Sequence, residues 1–282
     1  VSLTFSIWKY VHLIYYWHIN FWFWHKKLFF FFFIKYLSCE KFLPYVVLFK
    51  VLWDLLLLNN NLDLLKIPKF AKGLQDDQEI FDIKLIGGDL TSSLKHINVT
   101  ITIFGETSNG KSIPRNGAKV GDSLYVSGIL GLSKIGLENY NSNLSEFKEA
   151  KRKYLLPQPR IDLGISLRNI ANSMIDISDG LVQDATHLAK NSKLTVELNL
   201  SKIPVPNIKK IDRKLILNSA LYGGDDYELL FSCNDLNESL INELSTKMNL
   251  KLTKIGVFKE FKSEYLKFKK NDAKPQNSYL HF

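Results

Sequence analysis

The stretch Ser173-Met174-Ile175-Asp176-Ile177-Ser178-Asp179-Gly180-Leu181-Val182-Gln183-Asp184 constrains this chain more than any other. Apolar residues run into a turn that carries two acids, a hydroxyl and a glycine. A helical spacing (Leu181, Asp184, His187, Leu188) begins directly afterwards. Apolar run, polar turn and helix make a strand-to-helix junction. Asp176 and Asp179, with Ser178 between them, suit hard-cation chemistry, because Mg²⁺ takes one or two carboxylates together with phosphate oxygens. A helix starting near Gly180 adds backbone N–H donors that favour a phosphate. The plainer alternative is that Ser178 or Asp179 caps the helix.

The same rhythm recurs along the chain from about Ile67. Residues 68–80 read as a helix, and a strand over 82–86 delivers Gly87-Gly88-Asp89, where glycine allows backbone to approach a phosphate closely. A bland hairpin turn explains that triplet equally well. Residues 98–104 alternate as a strand, and 105–110 form a turn. Arg115-Asn116-Gly117-Ala118-Lys119-Val120-Gly121-Asp122 enters a strand over 123–127 as a β-turn does. Arg115 differs from its neighbours, since a guanidinium can grip phosphate bidentately. A Gly-rich segment covers 128–136, Pro157-Gln158-Pro159-Arg160 breaks the chain, and 161–171 has the spacing of an amphipathic helix. Further on, 194–200 reads as a strand, 213–221 as a helix, 229–233 as a strand, 235–248 as a helix and 251–257 as a strand. Between the helix at 213–221 and its following strand lies Tyr222-Gly223-Gly224-Asp225-Asp226-Tyr227-Glu228. Three acids beside two glycines ahead of a buried strand are costly without a cation or polar substrate, although a solvated turn is the competing reading.

Composition narrows the classes. The formal net charge of +9 invites nucleic acid, membrane surface or a polyanionic small ligand as partner, but the lysines are scattered and no long basic run appears. Nucleic acid is therefore not expected. Cys39 and Cys233 form no CxxC pair, which argues against a disulfide framework or zinc site and for a reducing cytoplasm. No HExxH, P-loop pattern or Ser/His/Asp arrangement is evident, and His281 alone reads as packed or exposed. Residues 1–66 are unlike the rest. All five Trp precede Asp54, and Glu40 is the only acid before that point. The purest apolar run, from Leu28 to Ile34, lies between Lys27 and Lys35 and is shorter than the roughly 20 residues a spanning helix needs, so a membrane span is not expected.

Four segments in order, Leu85-Ile86-Gly87-Gly88-Asp89, Arg115 to Asp122, Met174 to Leu181 and Gly223-Gly224-Asp225-Asp226-Tyr227-Glu228-Leu229, resemble thiamine-monophosphate kinase of the aminoimidazole-ribonucleotide synthetase superfamily. The ending Tyr279-Leu280-His281-Phe282 resembles that family's close. The likeness covers roughly 67–282. It implies a two-domain fold, an α/β N-terminal domain and an α+β C-terminal domain, with the N-terminal domain incomplete here. The implied division is an aromatic-rich segment over 1–66, the remainder of the ATP- and Mg-binding domain over 67–114, and the C-terminal domain over 115–282. The implied activity is ATP-dependent phosphorylation of thiamine monophosphate to thiamine diphosphate with Mg²⁺, in a cytoplasmic homodimer. On this resemblance Asp89, Asp176 and Asp179 bind Mg²⁺; Gly88, Arg115 and Ser178 contact ATP; Asp225 and Tyr279 contact the thiamine substrate.

The chain departs from the family pattern at Leu90, where the family has Thr, and at Asp225, where it usually has Glu. Upstream of Ile67 the family's Gly-Asp-Asp, His-Phe and Ser-Asp motifs are missing. The abrupt change near Ile67 and the run Phe29 to Phe33 lead to the expectation that the first sixty or so residues come from a neighbouring reading frame, form no strands, and leave the chain short of metal ligands and kinase activity. The alternatives are another superfamily member, such as aminoimidazole-ribonucleotide synthetase, selenophosphate synthetase or a hydrogenase-maturation protein, and a non-catalytic remnant or membrane-associated binding protein with an aromatic anchor.

Overall fold

In a computed structural model the structure describes residues 47–48, 66–88, 101–103 and 112–269. They belong to two units, one taking in the described residues up to 103 and the other those from 112 onward.

In the first unit, β1 (Val47–Leu48) pairs in parallel with β2 (Leu85–Gly87) and antiparallel with β3 (Thr102–Ile103). The expectation that residues 1–66 form no strand is thus corrected at Val47 and Leu48. They sit in the run Tyr45-Val46-Val47-Leu48-Phe49, whose β-branched and aromatic residues suit a pleated surface. Helix α1 (Lys66–Phe81) matches the helical reading of 68–80 and buries Phe70. Strand β2 starts later than expected. Asp82 adopts φ 50°, and the Ile83 N–H returns to the Gln78 carbonyl (3.1 Å), so the helix exit uses those residues.

The second unit is built on a six-stranded sheet of order β5-β7-β4-β8-β6-β9. Its strands are β4 (Ser123–Ser127), β5 (Ala171–Asp176), β6 (Leu194–Leu198), β7 (Leu229–Cys233), β8 (Leu252–Glu260) and β9 (Leu266–Phe268). All pairings are antiparallel except β6 with β9. Alternation along the central strands sends Leu124, Val126, Ile175 and Leu230 to one face and Tyr125, Met174, Phe231 and Cys233 to the other. Helices α5 (Leu181–Asn191) and α6 (Arg213–Tyr222) cover the first face through Leu181, Leu188 and Ala220. On the second face lie α4 (Ile161–Ser166) and α7 (Glu238–Lys247), through Leu163 and Ile241. Both faces are therefore buried, which is why these strands read as nearly continuous apolar runs.

Two helices were hidden in the sequence. α2 (Leu132–Glu138) follows Gly131 inside the Gly-rich segment, and α3 (Lys148–Leu155) packs on it and buries Ala150 and Lys153. Conversely, the helix expected over 161–171 stops at Ser166. A turn closes it, with the Ala171 N–H on the Leu167 carbonyl (2.7 Å), and Ala171 already opens β5.

Candidate functional site

The antiparallel register of β5 with β7 places Asp176 opposite Leu229, so the turn leaving β5 lies beside the loop entering β7. Three backbone hydrogen bonds tie the turns together. Ile177 N–H donates to the Glu228 carbonyl (2.8 Å), Tyr227 N–H to the Ile177 carbonyl (2.8 Å) and Asp225 N–H to the Ser178 carbonyl (2.9 Å). At Gly224, φ is +67° and a Cβ would stand 2.6 Å from the Ser178 carbonyl oxygen, so only glycine lets the two backbones come this close. The structure thus brings together Asp176, Ser178, Asp179 and Asp225.

Neither Ser178 nor Asp179 caps α5, the plainer of the two readings of that turn. The N-cap is Gly180, with no side-chain cap, and Asp179 Oδ2 accepts from Gln183 Nε2 (3.1 Å). The turn is instead shaped by Asp184, which is 1% exposed and accepts both the Ser178 and the Asp179 N–H on Oδ2 (3.1 Å each). Burial, reinforced by the charges of Asp179 and Asp176 and opposed by the two N–H bonds, pushes its carboxyl up to about 7.

The neighbouring loop has an alternating construction. Asp225 and Tyr227 adopt φ 57° and 49°, a left-handed conformation that is rare outside glycine and concentrates at functional sites. Their side chains meet, with Tyr227 Oη donating to Asp225 Oδ1 (2.7 Å). Asp226 and Glu228 between and after them are buried. Asp226 accepts the Gly131 and Ser133 N–H groups (2.6 and 3.2 Å) at the start of α2, and burial lifts it to about 7. Glu228 accepts from Lys153 Nζ (2.6 Å), Arg160 Nε and Nη2 (2.8 and 2.7 Å) and Ser127 Oγ (2.5 Å). Burial would raise its carboxyl, but the Arg160 bonds and the Lys153 charge outweigh that and hold it below the ordinary carboxylate range.

Arg115 lies on a segment that flanks β5, where the Met174 N–H donates to the Pro114 carbonyl (3.1 Å) and the Ala118 N–H to Ser192 Oγ (3.2 Å). It is half-buried, in the same unit as the acidic turns. The turn reading for 117–122 holds, with Lys119 N–H on Asp122 Oδ2 (2.9 Å). Gly88 is exposed just after β2, in the first unit. Asp89 and Tyr279 lie outside the described residues, as do His281, Cys39 and residues 105–110.

The acids share one field. Burial raises the Tyr227 phenol, and the charges of Asp225, Asp176 and Asp179 raise it further. Among the described residues no group of three or more His, Cys, Asp and Glu could hold a metal ion by itself. The donors on offer are the carboxylates of Asp176 and Asp179. Hard carboxylate oxygens of this kind would suit Mg²⁺, which takes one or two carboxylates together with phosphate oxygens. Sequence reasoning missed Asp184, Lys153 and Arg160 as parts of this site. Asp184 had a signal, an acid in the first turn of the helix that the acidic turn feeds; Lys153 had none.

This sheet, with its paired acidic turns, defines a protein of aminoimidazole-ribonucleotide synthetase-like fold. AaThiL complexed with AMPPCP and TMP is similar at a TM-score of 0.67 and 27% identity, covering 84% of this chain and 75% of that one. No family model matches the chain. The thiamine-monophosphate kinase of Buchnera aphidicola subsp. Schizaphis graminum is 38% identical over 197 residues, 67% of this chain and 60% of that protein. The thiamine-monophosphate kinase of Haemophilus influenzae is 33% identical over 223 residues, 77% of this chain and 67% of that protein. The chain belongs to the thiamine-monophosphate kinase family, and its match spans about 60% of the length of the Buchnera relative. No described helix is long and apolar enough to cross a membrane.

Proposed function

We propose that this chain binds ATP and thiamine monophosphate and transfers the γ-phosphoryl group to the substrate phosphate, giving thiamine diphosphate and ADP. The observation that carries this is the lacing of the 177–180 turn to the 223–228 loop, whose acids Asp176, Asp179 and Asp225 all act on the Tyr227 phenol. The relatives named for this kinase, and the presence of AMPPCP and TMP together on AaThiL, support it.

Phosphoryl transfer asks a protein for positioning and charge stabilisation more than covalent help. An oxygen of the substrate phosphate attacks the γ-phosphorus as the bond to the ADP oxygen breaks. The attacking phosphate is already anionic, so no general base is needed. Mg²⁺, when bound, neutralises charge on the phosphates. Asp176 and Asp179 are the residues that would hold it, and the family resemblance adds Asp89 as a further candidate ligand. Ser178 and Gly88 contact the nucleotide, and the Arg115 fork grips its phosphates. Asp225, beside Tyr227, is the contact to the thiamine substrate, whose cationic thiazolium ring suits a carboxylate and aromatic setting, and the family resemblance adds Tyr279 as a second contact. A homodimer in the cytoplasm completes the proposal, without nucleic acid or membrane as partner.

The test is the chain as it stands, given Mg²⁺ and ATP, with thiamine diphosphate and ADP measured separately. The expected result is thiamine monophosphate-dependent release of both, at a rate held down by the missing upstream motifs. ADP release that follows an aminoimidazole precursor instead would overturn it.

A further inference from the structure

We propose that Lys153 and Arg160, acting through Glu228, are positioning residues that hold Asp225 and Tyr227 in the left-handed backbone conformation used on the acceptor side of the site. The inference rests on the function proposed above for its ligand, but its geometry stands on its own.

Glu228 is 1% exposed, and its carboxylate is shared among three separate parts of the second unit. Lys153 reaches it from α3, Arg160 from the Pro-flanked segment ahead of α4, and Ser127 from the end of β4. Ser127 Oγ also accepts the Leu229 N–H (2.9 Å), so the first residue of β7 is pinned by the same group. Glu228 in turn presents its carbonyl to Ile177, inside the acidic turn. The space around the carboxylate is closed. At Gly128, φ is +64° and a Cβ would lie 2.5 Å from the Glu228 carboxyl carbon, so a side chain there would displace it.

The chain needs such an anchor at this point. Two left-handed non-glycine residues within three positions are each unfavourable, and such backbone persists only where its surroundings over-determine it. Asp226 supplies one restraint, at α2, and Glu228 the other. They add to the backbone bonds by which Asp225 and Tyr227 hold the first turn, and the Glu228 contacts are the ones charged on both sides. Arg160 engages both carboxylate oxygens, a fork that lysine cannot reproduce. Helix α3 also carries Tyr154, whose phenol is raised by burial and then by the charge of Asp225, so the helix that holds Glu228 lies near the residue being positioned.

The experiment uses the full chain with Arg160→Met, Arg160→Lys and, where it folds, Glu228→Gln. Two quantities are read: amide hydrogen exchange at Asp225 and Tyr227 against that at Leu124 and Val126 in β4, and affinity for thiamine monophosphate against that for AMPPCP. Arg160→Met removes two charge-assisted hydrogen bonds and should speed exchange at Asp225 and Tyr227 by about tenfold or more, while the β4 amides keep their rates. Thiamine monophosphate affinity should fall by a similar factor and AMPPCP affinity should hold, with Arg160→Lys recovering part of the loss. Uniformly faster exchange in loop and core would make Arg160 merely structural and overturn the proposal. Local loosening with unchanged thiamine monophosphate affinity would overturn it too. A wild-type chain that binds no thiamine monophosphate counts against the function proposed above, and the exchange readout then decides the positioning role alone.

Discussion

The two acidic turns solve one problem in different ways. The turn after β5 carries Asp176 and Asp179 at the end of a strand and fixes its shape with a single buried acid, Asp184, that collects two backbone N–H groups. The loop before β7 takes strained dihedrals at Asp225 and Tyr227 and fixes them with buried acids that reach α2, α3 and the segment before α4. A turn held locally is specified by residues close in sequence. A turn held by distant charges depends on the whole unit, and so is the more fragile and the less readable of the two.

The largest expected effect comes from removing the charges that the first turn presents. Asp176→Asn with Asp179→Asn should lower Mg²⁺-dependent thiamine diphosphate formation by about a thousandfold, the scale of lost transition-state charge stabilisation, with little change in melting temperature. Near-normal turnover would remove the metal assignment.

Next is the shape of that turn. Asp184→Ala leaves the Ser178 and Asp179 N–H groups without their acceptor, and each of these part-buried hydrogen bonds contributes about 0.5–1.5 kcal/mol. Urea melts should show a loss of that order, together with weaker nucleotide binding. A loss confined to stability would make Asp184 an ordinary core acid.

Arg115→Lys keeps the charge and loses the fork, so ATP affinity should fall by about tenfold while thiamine monophosphate affinity holds. Separate calorimetric titrations would show it, and the opposite selectivity would reassign Arg115 to the acceptor side.

The smallest effect is a slope. Asp226 is lifted from 3.8 to about 7 by burial, so the folded state keeps its proton where the unfolded chain has lost it. Stability should therefore be greatest at the acid end of that window and decline as pH rises toward 7, by at most roughly 1.4 kcal/mol per pH unit for one proton. Asp184 is lifted into the same range, so Asp226→Asn should remove about half of the slope measured by urea melts between pH 5 and 7.5.

The contrast between the turns also marks what the sequence made legible. Strands β4 and β7, helices α1, α5 and α6, and the placement of Asp176, Asp179 and Asp225 at strand ends and in turns could be read because local pattern and local structure coincide there. Lys153 could not, since a lysine on a charged helix looks solvated until Glu228 is placed beside it. Arg160 read only as punctuation, because its partner lies 68 residues away in sequence. Helices α2 and α3 were masked by glycines and charge, and α4 was overextended because β5 claims Ala171. The expectation for residues 1–66 was too sweeping at Val47 and Leu48, which join a sheet.

That the two turns act as one site is most directly tested by a double-mutant cycle. Asp179→Asn, Asp225→Asn and the pair are compared by affinity for thiamine monophosphate in the presence of Mg²⁺ and AMPPCP. Groups that share a bound ligand across laced turns should couple by more than about 1 kcal/mol, whereas independent sites add to within about 0.5 kcal/mol. Coupling of the first size is the expected result. Additivity would contradict the account and leave two acidic turns that are neighbours only in space.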